Sequence, residues 1–157
     1  MSSASIPSGR IVPCAETDHG SWLELRLQLW PDGSNAEFLP EMAAACAAPE
    51  RFAQFLFLSE AGSAEGMVEV ALRTDYVNGT NSSPVAFLEG IFVRPESRGQ
   101  GIAKALVATA EAWAKELGCS ELASDAPIDN SGSHAMHAAL GFVETERVVF
   151  FRKVVPQ

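Results

Sequence analysis

The sequence predicts an α+β fold in which a mixed central β-sheet is flanked by helices on both faces. Three observations predict it. Segments with strand and helix periodicity follow in the order β, α, α, β, β, β, α, β, α, β, β. Phe87 to Val93 is almost continuously apolar and rich in β-branched and aromatic residues, as a buried strand requires. Past a short turn carrying Pro95, the chain reads Arg98-Gly99-Gln100-Gly101, a glycine-bearing loop that opens straight into an amphipathic helix.

Taken in order, Met1 to Gly9 is Ser-rich and is expected to be a disordered N-terminal segment, with one domain over residues 10–157. Arg10 to Ala15 suits a first strand. Thr17 or Asp18 is placed to cap a helix running to about Trp30, with Leu23, Leu27 and Trp30 on one side. Pro31-Asp32-Gly33-Ser34 is a loop, and an alanine-rich helix spans roughly Ala36 to Ala47, before Pro49. Phe52 to Leu58 reads as a strand. Met67 to Tyr76 alternates, with Val68, Val70 and Leu72 on one face and Glu69, Ala71 and Arg73 on the other.

Val77 to Ser83 is a polar loop, followed by the central strand. In the next helix Ile102, Leu106, Trp113 and Leu117 share a face, Glu111 and Lys115 are spaced as an i,i+4 pair, and Gly118 sits where a terminating glycine belongs. Ser120 to Asp125 is a short strand. Asn130 or Ser131 caps a last helix ending at Gly141, and Phe142–Glu146 and Val148–Val155 are expected as two final strands.

A chain of 157 residues, 47% of them apolar, can bury a real core as one domain. Its net charge of −9 disfavours nucleic acid, whose phosphates need basic patches, and suits a cationic small molecule. An acidic surface also simply aids solubility. Cys14, Cys46 and Cys119 are few, odd in number and widely spaced, which favours reduced thiols over a disulfide frame or a metal site. No run is long and apolar enough for a membrane helix, and no secretory leader opens the chain, so a cytoplasmic location without membrane attachment is expected.

The loop at Gly99 and Gly101 points to anion binding. Glycines let backbone approach a ligand closely and visit positive φ, and the helix that follows presents unpaired N–H groups and the positive end of its dipole. Neither the P-loop pattern nor G-x-G-x-x-G is present. Arg98-Gly99-Gln100-Gly101-Ile102-Ala103 instead resembles the R/Q-x-x-G-x-G/A signature of the GCN5-related N-acetyltransferases. The flanking strand, V-x-P turn and helix strengthen the match. The resemblance implies that acetyl-CoA is the cosubstrate and that Arg98, Gly99, Gln100, Gly101, Ile102, Ala103 and Lys104 hold its pyrophosphate. It also implies that backbone N–H groups of Ile91, Phe92 and Val93 face the thioester carbonyl.

Glu89 stands out as a carboxylate in an otherwise apolar strand, where an unpaired charge is costly. It either faces a cavity, where it can hold an amine and relay its proton, or forms a structural ion pair, for instance with Arg73. Asp125 ends the next strand, at the position where open sheets place ligands, although a loop-starting aspartate is common. Tyr76 is the only tyrosine, and Trp30 ends the first helix either as a core anchor or as a substrate contact.

An ordered set of segments carries a narrower resemblance, to the aminoglycoside 6′-N-acetyltransferases: Leu27-Gln28-Leu29-Trp30-Pro31, Asp75-Tyr76-Val77-Asn78-Gly79, Ser83-Pro84-Val85, Phe87-Leu88-Glu89-Gly90-Ile91, Ala123-Ser124-Asp125, Leu140-Gly141-Phe142 and Glu144-Thr145-Glu146-Arg147-Val148. It implies a cationic antibiotic gripped by Trp30, Tyr76, Glu89, Asp125 and Glu146, with Glu89 and Asp125 catalytic and Asn130 touching the coenzyme. It also implies a homodimer formed through the C-terminal strands and a resistance function. Many members of the wider superfamily carry a tyrosine general acid where this chain has His137. Two other readings stay open: a polyamine or protein amine as acceptor, and a non-catalytic acetyl-CoA-binding module.

Overall fold

A computed structural model describes residues 7–157; the expected N-terminal disorder falls mostly on residues outside that range. The elements are β1 (Gly9–Pro13), α1 (His19–Leu29), α2 (Asn35–Ala47), β2 (Phe52–Ser59), β3 (Ala64–Arg73), β4 (Val85–Val93), α3 (Ile102–Glu116), β5 (Leu122–Ala123) and α4 (Ser131–Ala139). The five strands form one sheet in sequence order. β1 to β4 pair antiparallel, and β5 runs parallel to β4. The sheet is mixed, as expected.

Each face of the sheet carries its own apolar cluster. On one, α3 lays Ile102, Leu106, Val107, Ala110 and Ala114 against Val68, Val70, Leu88 and Ile91. On the other, Trp22 and Leu25 of α1 and Phe38 and Met42 of α2 cover Leu56 and Met67. Because both faces are covered, β3 is buried along most of its length, Glu69 included. The α3 stripe agrees with expectation at Ile102 and Leu106, while Trp113 and Leu117 lie at its half-buried margin. No Glu111–Lys115 ion pair forms among the described residues.

Two later N-caps follow residue chemistry, whereas Asp18, at the N-cap of α1, makes no capping bond to that helix and accepts instead from the Ala15 N–H. Ser34 starts α2 by accepting from the Glu37 N–H, and Asn130 starts α4 by accepting from the Ser133 N–H at 3.1 Å. Gly118, at φ 81°, ends α3 with its N–H on the Lys115 carbonyl.

Three expectations need correction. β5 pairs over two residues only, Ala86 with Leu122 and Phe87 with Ala123, rather than over Ser120–Asp125. Phe142–Glu146 and Val148–Val155 form no ladder among the described residues. Alternation defines which face a strand would show, but a strand also needs a neighbour's N–H and C=O groups, and among the described residues none pairs with these segments. Val149, Phe150 and Phe151 are 77%, 85% and 93% exposed as a result.

All three cysteines are free thiols. Burial pushes the Cys14 thiol far above its usual range, with the carboxylate of Glu69 adding to the effect. Cys46 is exposed. Cys14 is half-buried, so a thiol-reactive disulfide reagent should label Cys46 faster than Cys14 in the native protein, with the gap closing on unfolding. Equal labelling rates for the two would contradict this burial.

Candidate functional site

The site is organised by where β5 leaves β4. After the Phe87–Ala123 pair, β4 continues to Val93 with no strand beside that edge among the described residues. Backbone groups from Leu88 onward are thus open to a ligand on one side. Opposite, the ladder with β3 shifts register: Glu69 pairs with Gly90, Val70 pairs with Leu88, and Glu89 is the extra residue of a β-bulge. A bulge re-aims one side chain of a strand. Here it turns Glu89 out of the apolar run, leaving its side chain 37% exposed.

Glu89 meets both alternatives left open by the sequence. Its Oε1 accepts from Arg73 Nη2 at 2.8 Å, and it also lines a cavity of about 460 Å³ with Trp30, Trp22, Phe38, Arg26 and Glu69. Arg73 itself stacks on Phe87, 3.7 Å from the ring centroid. Anchored there, it orients one oxygen of Glu89; Oε2 has no partner among the described residues.

Trp30 follows α1 at its C-cap. Its ring packs on Gly90, where an added Cβ would lie 2.7 Å from the indole. Trp30 and Glu89 are therefore brought together. Tyr76 is 78% exposed and lines a separate opening of about 580 Å³ with Arg51, Arg73 and Asp75. Arg73 lines this second opening only, and its ion pair reaches Glu89 at the first. Thr145 and Glu146 pack against the Gly79 turn, and Glu146, exposed, lines neither cavity. Asp125 is exposed, two residues beyond the last pair of β5, and lines neither cavity.

The glycine loop has the geometry an anion needs. Gly99 and Gly101 stand at φ 79° and 86°, and Gly101 is the N-cap of α3 with no side chain capping it. Nothing lies within 4 Å of a Cβ built on Gly99, and only Pro7 Cγ, at 3.8 Å, approaches one on Gly101. The first-turn N–H groups of Ile102, Ala103 and Lys104 thus point into open space at the positive end of the helix. Arg98 braces the loop: its Nε donates to the Val93 carbonyl at 2.8 Å, and its guanidinium lies over Phe92 at 5.5 Å. Gln100 is exposed. Ile91 and Val93 are buried and Phe92 half-buried, on the open edge of β4.

His137 sits between Ser124 and Ser133. Its Nδ1 lies 2.7 Å from the Ser133 carbonyl, which only accepts, so Nδ1 carries a proton. In the neutral ring Nε2 then accepts from the Ser124 hydroxyl, 2.7 Å away. Only the imidazolium donates through Nε2. His134 is directed elsewhere, to the Pro127 carbonyl at 2.9 Å.

Sequence reasoning missed a buried ion network under the site. Arg26, 7% exposed, donates from Nε and Nη2 to the two oxygens of Glu69 at 2.8 and 3.2 Å, and from Nη1 to Glu41 at 3.0 Å. Trp22 Nε1 adds a bond to Glu69 at 3.1 Å. Removing one partner of such a pair costs about 3–5 kcal/mol, because the other is left as a buried bare charge. The available signal was Arg26 one helical turn before Trp30 and Glu69 in an apolar strand.

Residues 20–142 match the family model described as "Acetyltransferase (GNAT) family". An aminoglycoside N(6′)-acetyltransferase type 1 of Acinetobacter baumannii is 52% identical over 143 residues, covering 91% of this chain and 97% of that protein. The crystal structure of the aminoglycoside antibiotic 6′-N-acetyltransferase AAC(6′)-Ih from Acinetobacter baumannii superposes with a TM-score of 0.89 at 50% identity, over 94% of this chain and 99% of that one. AAC(6′)-Iy in complex with the bisubstrate analogue CoA-S-monomethyl-acetylneamine gives 0.88 at 42% identity, over 93% and 98%.

Proposed function

The chain belongs to the acetyltransferase (GNAT) family, and from that premise we propose that it acetylates the 6′-amino group of aminoglycoside antibiotics, conferring resistance. The observation that carries the reading is the open edge of β4, with the Glu89 and Trp30 cavity beside one end and the Gly99–Gly101 loop beyond the other. Acetyl-CoA, when bound, supplies an activated acyl group as a thioester. Arg98 to Lys104 would hold its pyrophosphate, Asn130 its neighbouring groups, and Ile91, Phe92 and Val93 would offer backbone donors to the carbonyl oxygen. Glu89 receives the proton of the acceptor ammonium at Oε2, directly or through water, while Arg73 keeps Oε1 in place. For Asp125, which lines neither cavity, a role as a second catalytic carboxylate rests on the resemblance alone. Trp30, Tyr76 and Glu146, with Glu89 and Asp125, grip the polycation.

Residues 10–157 act in this reading as a single N-acetyltransferase domain working in the cytoplasm. The assay follows coenzyme A release with tobramycin, kanamycin and spermidine, and locates the added acetyl group. Release with no aminoglycoside rejects the reading, and a clear preference for spermidine replaces the acceptor.

We further propose a homodimer. The exposed apolar residues from Val148 to Val155 match what a second copy would cover by adding ladder partners, which removes both the apolar exposure and the unpaired backbone. Light scattering should report twice the 16.7 kDa chain mass. Deleting 148–157 should give the monomer; a truncated chain that stays dimeric excludes this segment as the interface.

A further inference from the structure

We infer that Arg26 is a positioning residue for the acceptor site, tying the Trp30 ring and the β-bulge that presents Glu89 into one rigid unit; this rests on the acceptor reading above. Every part of the guanidinium is used. Its N–H groups fork onto Glu69 and reach Glu41. Its plane lies 4.7 Å from the Phe38 ring centroid, 5.1 Å from that of Trp30 and 5.9 Å from that of Trp22. The partner carboxylate is not an arbitrary one. Glu69 is the residue at which the β3–β4 register shifts, directly opposite Gly90. Gly90 in turn carries the Trp30 ring on its bare Cα. Glu89 is thus flanked by two groups that Arg26 holds, one on the sheet and one at the end of α1.

The chemistry chosen argues for position over stability. Apolar side chains of equal volume would hold α1 on the sheet about as well as a buried ion pair does. They would not fix the angle of an indole. A planar fork locked to a carboxylate presents one face in one orientation, which lysine cannot do. Arg26 and Glu69 line the cavity yet neutralise each other, so the exposed carboxylates left along it are Glu89 and, at its Arg26 side, Glu41.

Two variants test this. The double variant Arg26→Met with Glu69→Leu removes both charges together and avoids a stranded ion. Arg26→Lys keeps the charge and loses the fork and the stack. In each, tobramycin affinity measured by calorimetry with coenzyme A present is expected to weaken about tenfold, while KM for acetyl-CoA stays within about twofold. A loss confined to thermal stability, with tobramycin binding as in the wild type, overturns the inference. If the double variant does not fold, Arg26→Lys decides by the same comparison. The failures are distinguishable: a wild-type chain that does not bind tobramycin sinks the substrate reading, whereas wild type and variants binding it alike sink this one.

Discussion

Glu89→Ala is expected to lower kcat/KM for tobramycin by about 10²-fold or more, the range a positioned general base supplies. Its effect on folding should be small. The Arg73 pair it breaks is partly open to solvent on both sides, with side chains 43% and 37% exposed, and such pairs contribute at most about 1 kcal/mol. Steady-state kinetics should place the loss in turnover and acceptor binding, with coenzyme affinity held, because the glycine loop lies beyond the far end of β4. Glu89→Gln separates two components of the role. It keeps the shape and the Arg73 hydrogen bond but neither attracts an ammonium nor takes its proton. Unchanged kcat/KM in both variants would show that the bulge presents a structural ion pair and nothing more.

Gly101→Val should do the reverse, raising KM for acetyl-CoA about tenfold or more while acceptor affinity stays near wild type. Two effects combine. At φ 86° a residue with a side chain is held in the left-handed region at a cost of about 1–2 kcal/mol, and a β-branched one tolerates it worst. The added carbons also enter the space in front of the α3 amides, where the diphosphate is expected. The protein itself leaves room there, with Pro7 Cγ 3.8 Å from the new Cβ, so internal crowding does not explain a loss. Gly101→Ala adds the Cβ alone and should give an intermediate value. If neither change moves the coenzyme constant, the loop does not hold the phosphates.

These two residues were legible in the sequence for a common reason. A carboxylate in an apolar strand and a glycine pair ahead of a helix are local anomalies, visible without knowing what is nearby. The apolar run of β4, the α3 stripe and the glycine ends of helices were legible in the same way, since periodicity reports which faces are buried. Trp30 and Tyr76 could be named as candidates, but not assigned to one cavity or two. That depended on Gly90 giving the indole a place to lie beside Glu89, while Tyr76 lines a different opening.

By itself, then, the sequence determined the element order through β5 and α4, the mixed sheet, the family and the glycine-bearing turn into α3, because each is written in spacing and residue type along a few consecutive turns. The tertiary structure decided what no spacing encodes. It put Arg26 and Glu69, 43 residues apart, into one buried fork, and placed the bulge that turns Glu89 outward. It also left the last segment without a ladder. Those outcomes depend on which distant groups become neighbours, and a hydrogen bond or an ion pair exists only once both partners have arrived.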